Sequence, residues 1–134
     1  MRFRVQPESS VPIYEQIVTQ VVFAVAAGDV PAGDLVPSVR ELSQQLLVNP
    51  NTVARAFQDL ERLGVLEPRR GLGMAVTSDG PKKSRDRRRD IVRERVRETL
   101  REAAAAGLAA DDVHAIVDAE WPHLSGRNGS SKSR

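Results

Sequence analysis

The 134-residue chain contains no cysteine. Disulfide frameworks, thiolate nucleophiles and thiolate metal sites are thereby excluded together, and a reducing compartment fits. Aromatic residues are scarce as well, at 4%, so any core must be built from Val, Ile, Leu and Ala. No apolar run approaches the length of a membrane span, and no charged-then-apolar leader opens the chain. Strong net charge is the last absence. The balance is +2 overall, and residues 1–78 hold seven Lys/Arg against eight Asp/Glu, while the remainder holds 13 against 10. Contact with a polyanion by the first part would therefore depend on where its charges sit, not on how many there are.

What is present suits a soluble globular chain expected in the cytoplasm, with 40% hydrophobic and 28% charged residues. Phe3 and Val5 alternate with Arg2, Arg4 and Gln6, which reads as an edge strand or a tail. Ser10 as cap and Pro12 in the first turn look like a helix start, and apolar residues then recur at 13, 17, 21, 24 and 25, with a second line at Tyr14, Val18 and Val22. That period predicts a mostly buried helix ending at Ala27-Gly28. Ser38 followed by Glu41 forms a capping-box pattern that opens a second helix with the stripe Val39, Leu42 and Leu46. After a short turn through Leu47-Val48, Asn49 and Pro50 open a third, with Val53, Ala56, Phe57, Leu60 and Leu63 inward and a stop at Gly64. Two helices joined by three or four residues make a helix-turn-helix.

Past Gly64 the period changes. Val65-Leu66-Glu67 and Met74-Ala75-Val76 flank the basic, glycine-bearing loop 68–73, which predicts a hairpin, the wing of such a fold. A break at 78–81 precedes a helix expected from Ser84 to about Ala106, with Val92, Val96 and Leu100 as a thin apolar seam among Arg–Glu pairs at three-residue offsets. A last helix is expected from about Ala110 to Glu120, with Val113, Ile116, Val117 and Trp121 on one face and Pro122 closing it. The fold class is therefore mainly α with a small β-hairpin. Residues 1–78 form a winged helix-turn-helix, 79–124 a two-helix dimerisation segment and 125–134 a tail expected to be disordered.

On the third helix Asn51, Arg55, Gln58 and Arg62 follow one another at steps of four, three and four, a stripe opposite the apolar face. Arg bonds guanine bidentately and Asn or Gln bonds adenine, so these types suit base edges in a major groove. The first turn and a half is what such a helix inserts, which selects Asn49, Asn51, Thr52 and Arg55. Ser38 and Arg40 stand beside the positive end of the second helix, and Arg69 and Arg70 beside Gly71 and Gly73 in the wing, where phosphates would be held. Each part also has an ordinary reading. Amphipathic helices have polar faces, basic hairpins occur on many surfaces, and Ser38 and Asn49 cap helices whatever else they do. The order of all the parts is far rarer than any one of them.

The runs 31–42, 48–57, 60–66 and 69–73, from Pro31-Ala32-Gly33-Asp34 to Arg69-Arg70-Gly71-Leu72-Gly73, resemble the GntR family of regulators. The opening Pro12-Ile13-Tyr14-Glu15-Gln16-Ile17 and the Asn49-Pro50-Asn51-Thr52 turn resemble its YtrA subfamily. The resemblance implies a homodimer on double-stranded inverted-repeat DNA, usually a repressor and often of an ABC-type transporter operon. It implies DNA contacts from Arg40, Asn51, Thr52, Arg55, Arg70, Gly71 and Gly73. Leu72 stands where the family often has Lys or Arg between the wing glycines, and Met74 and Ala75 where it usually has Thr and an aromatic.

About 45 residues follow the winged region, and two helices cannot enclose a drug-sized cavity alone. The apolar seams are expected to be buried between two chains, the alternative being packing onto the chain's own first helix. A small-molecule effector at that interface is left open, and no residue indicates one. The basic run 82–89 either touches flanking DNA or is simply solvated. His114 and Asp118 lack a convincing third ligand, and no carboxylate pair, activated nucleophile or phosphate loop is present. No enzyme activity, metal or cofactor is expected. A winged adaptor that binds protein instead of DNA is the competing class, and the −1 balance of residues 1–78 is its support.

Overall fold

A single apolar helix organises the first part of the molecule. Helix α1 (Ile13–Ala26) buries Ile17, Val18, Val21, Val22, Val25 and Ala26, so most of its circumference is covered. Around it lie α2 (Val39–Leu46), α3 (Pro50–Arg62) and an antiparallel hairpin of β1 (Leu66–Arg69) and β2 (Gly73–Val76). Helices α4 (Gly80–Ala105) and α5 (Ala110–Asn128) follow. The computed structural model describes residues 1–128. Its architecture is the mainly helical winged arrangement expected. The chain divides into two compact units, Met1–Val92 and Arg93 onward, with the division inside α4.

The core of the first unit has the expected aliphatic composition. Ile17, Val21, Val22, Leu42, Val53, Ala56, Leu60, Val65 and Val76 are all fully buried. Phe3 joins them, and the segment after it is neither a strand nor a loose tail. Two glutamine side chains on α1 stand in for a strand partner. Arg4 N–H donates to Gln20 Oε1 at 2.9 Å and Gln6 N–H to Gln16 Oε1 at 2.8 Å, while each amide NH₂ donates back to the carbonyl of the same residue. A side-chain amide presents N–H donors beside a C=O acceptor, as backbone does, and it satisfies backbone that would otherwise be unpaired. The Gln16 amide also donates to the Val11 carbonyl at 2.8 Å.

Helix α2 starts as its capping box requires. Glu41 N–H donates to Ser38 Oγ at 3.0 Å and Ser38 N–H donates to a Glu41 carboxylate oxygen at 2.9 Å. The helix stops at Leu47, which takes a left-handed backbone (φ 57°) and turns the chain into α3 within three residues. Asn49 Oδ1 accepts from Asn51 N–H at 2.7 Å, with Pro50 in the first turn.

Several boundaries differ from the sequence reading. Pro12, not Ser10, occupies the N-cap of α1, with no side-chain cap. Helix α4 begins at Gly80, four residues before Ser84, because Gly80 and Ser84 are buried and Ile91 packs on the core. The first unit therefore reaches beyond residue 78. Helix α5 has Pro122 inside it and continues to Asn128, so residues 125–128 are helical. Proline there removes one hydrogen bond to the preceding turn without ending the helix. At the start of α5 the Asp112 carboxylate accepts from Ala109 N–H at 2.8 Å, the returning half of a capping box. The rest of the tail expectation, 129–134, lies outside the described residues.

Candidate nucleic-acid interface

Helix α3 separates its two faces. Val53, Ala56, Phe57 and Leu60 are buried, whereas Asn51, Arg55, Gln58 and Arg62 are exposed, as their spacing requires. Asn49 holds the entry to the helix through its side-chain oxygen, and Thr52, one turn in, is half-buried. Arg62, near the end of the helix, pairs with Asp59 one turn earlier, which separates it from the leading turns.

The Arg55 guanidinium lies over the ring of Tyr14, 3.8 Å from its centroid. Tyr14 belongs to the first turn of α1, so two helices distant in sequence meet at the exposed face of α3. The sequence reading places Tyr14 among the apolar positions of α1 and misses this contact. Nothing local signals it, since Val18 and Val22 on the same line are buried in the core.

At the start of α2, Arg40 is exposed beside the positive helix end. Ser38 is already engaged as a cap, which leaves its hydroxyl proton as what it can still offer. In the wing, Leu72 N–H donates to the Arg69 carbonyl at 2.9 Å, closing a turn whose third residue, Gly71, has φ 78°. Left-handed backbone at that position favours glycine. Arg69, Arg70 and Gly73 are exposed around it, and Leu72 stands at the tip at 66% exposure.

The wing is tied to the segment before α2. An isolated bridge joins Leu35 to Ala75, and Val36 N–H donates to the Met74 carbonyl, Gly33 N–H to that of Val76, and Val76 N–H to that of Asp34. Residues 33–36 thus form a short third edge of the hairpin, and the loop before α2, with Arg40 in its first turn, shares one hydrogen-bonded frame with the wing. The expected contact residues accordingly fall into three groups: the leading turns of α3, the start of α2 and the wing turn.

The seam residues are all solvent-facing or nearly so in the single chain. Val92, Leu100, Ile116 and Val117 are exposed, Val96 is 50% and Trp121 61% exposed, and Val113 is partly covered. Among the described residues no group of three His, Cys, Asp or Glu is arranged to hold a metal ion, and no helix is long and apolar enough to cross a membrane.

Comparison with known proteins agrees with this geometry. Residues 13–76 match the family of bacterial regulatory proteins called the gntR family. The chain is 34% identical over 118 residues to the HTH-type transcriptional repressor YtrA of Bacillus subtilis, which spans 88% of this chain and 87% of that one. A solved GntR family transcriptional regulator from Listeria monocytogenes is similar with a TM-score of 0.70 and 33% identity, over 83% of this chain and 96% of that one. The DNA-binding domain of AraR, solved in complex with operator ORX1, gives a TM-score of 0.51 and 25% identity over 57% of this chain and all of that one.

Proposed function

The chain belongs to the GntR family, and on that premise we propose that it acts in the cytoplasm as a homodimeric repressor of an inverted-repeat operator. The family and the relatives are transcription regulators rather than enzymes, and this chain is a DNA-binding transcription regulator of the same kind. The observation that carries the finer reading is the exposed polar face of α3 standing on a fully buried opposite face. In this reading Asn49, Asn51, Thr52 and Arg55 enter the major groove. Ser38 and Arg40 at α2, and Arg69, Arg70, Gly71 and Gly73 in the wing, hold phosphates on either side.

The solvent-facing apolar residues of α4 and α5 support the second half of the proposal. An apolar seam left in water is costly, and a second copy of the chain would cover it by the same residues. The copy would bring a second α3, so half-sites should lie about 10 base pairs apart. The subfamily resemblance drawn from the sequence makes an ABC-type transporter operon the first target to examine.

The test is selection of duplexes from a random-sequence pool by the full-length protein, followed by binding to every single-base variant of the enriched site. We expect a two-fold symmetric site. Arg55→Ala should cost about 1–3 kcal/mol at one base position in each half and relax preference there. Enrichment of no duplex, or an Arg55→Ala profile identical to that of the parent, would overturn the reading.

A further inference from the structure

We propose that Tyr14 is a positioning residue for DNA reading: its ring holds the Arg55 guanidinium ready for a base before DNA arrives. The inference rests on the reading of α3 given above and goes beyond it, because Tyr14 itself need not touch DNA. Arg55 is exposed and belongs to the leading turns of α3, and an exposed arginine ordinarily samples many rotamers that must be surrendered on binding. Here its guanidinium carbon sits 3.8 Å from the Tyr14 centroid, within the range of a cation–π contact. Tyr14 is half-buried at the α1–α3 contact, which fixes the platform.

The geometry of a guanidinium makes such a stack compatible with base recognition. Its face carries no N–H bonds, and all five donors point outward in its plane. Stacking therefore uses the face and leaves the donor edge for the two acceptors of guanine, O6 and N7. What the ring contributes is order, together with attraction between its negative face and the positive charge. Neither contribution needs the phenol oxygen, so Tyr14→Phe should behave as the parent does. Tyr14→Leu keeps an apolar side chain in place but has no π face and should not.

The experiment uses the full chain and the duplex it enriches from a random pool. Tyr14→Leu should weaken binding about two- to fivefold, the range for an exposed cation–π contact. The loss should be confined to the base position that Arg55→Ala identifies. Tyr14→Phe and Tyr14→Trp should bind as the parent does, and Tyr14→Leu placed on Arg55→Ala should add no further loss. In the free protein, ¹⁵N relaxation of Arg55 Nε should show an ordered side chain in the parent and the Phe variant. These two variants, with Trp, keep the test decisive if Tyr14→Leu does not fold. An Arg55→Ala effect at one base with no effect of Tyr14→Leu would overturn the inference and leave the reading face intact. So would equal losses from Tyr14→Leu with and without Arg55, or a freely rotating Arg55 Nε in the parent. An Arg55→Ala variant with unchanged base preference would overturn the reading face and this inference with it.

Discussion

Gly80 and Val76 approach so closely that a methyl group built on Gly80 would lie 2.8 Å from a Val76 methyl and 3.0 Å from the Val65 carbonyl oxygen. Gly80 is the first residue of α4, and Val76 ends the hairpin, so the missing side chain is what lets the helix leave directly from β2. Gly80→Ala should therefore destabilise the first unit by about 1–3 kcal/mol, the usual cost of overpacking, despite alanine's better helix propensity. Denaturant unfolding followed by far-UV circular dichroism measures it, and an unchanged midpoint would contradict the packing described.

One turn later the same change should have the opposite sign. Ser84 is fully buried, and its hydroxyl has no hydrogen-bond partner among the described residues. An unmet buried hydroxyl is penalised, and its removal leaves a residue that favours helix. Ser84→Ala is expected to raise stability by up to about 1 kcal/mol in the same unfolding measurement. A clear loss would mean that the hydroxyl is paired after all.

Wing arginines should register in the salt dependence of binding. Each phosphate neutralised releases counterions, so losing one contact from each protomer of the proposed dimer lowers the slope of log K against log salt by about 1.8. Arg70→Ala should show this with little change in base preference, whereas Arg55→Ala should change the preference itself. Titrations of the selected duplex at several salt concentrations separate the two. A parallel line for Arg70→Ala would remove Arg70 from the phosphate contacts.

The apolar seam gives a prediction about assembly. Val96 is half-exposed on α4 and lies outside the core cluster, so an aspartate there should disturb the fold of one chain little. Val96→Asp should nonetheless yield a monomer by analytical ultracentrifugation at micromolar concentration, with helical content kept and operator affinity sharply reduced. If the variant sediments as the parent does, or if the parent is itself monomeric, the seam is not a dimer interface.

How much of this was legible in the sequence depended on how local the physics was. The caps of α2 and α3 were readable because Ser38 with Glu41, and Asn49 with Pro50, act within one turn of themselves. The faces of α3 followed from period alone. Four features needed partners far along the chain: the Tyr14–Arg55 stack, the clamps of Gln16 and Gln20, the start of α4 at Gly80, and the third edge at 33–36. A residue such as Gln20 looks like ordinary helix surface until Arg4 is folded against it. Pro122 misled for a related reason. Its local preference argues for a helix end, yet α5 continues through it, and nothing in the surrounding residues explains why.

In the proposed reading, the backbone bonds that join 33–36 to β2 bear on how the protein would gauge its target. A wing hinged only at its own two strands would be free to find whatever phosphate lay within reach. One laced to the approach of α2 has its reach set in advance, like the jaw of a caliper locked to its beam. Adding or deleting a base pair within a half-site would then shift the sugar–phosphate chain out from under the tip, and the protein would have no slack with which to follow it.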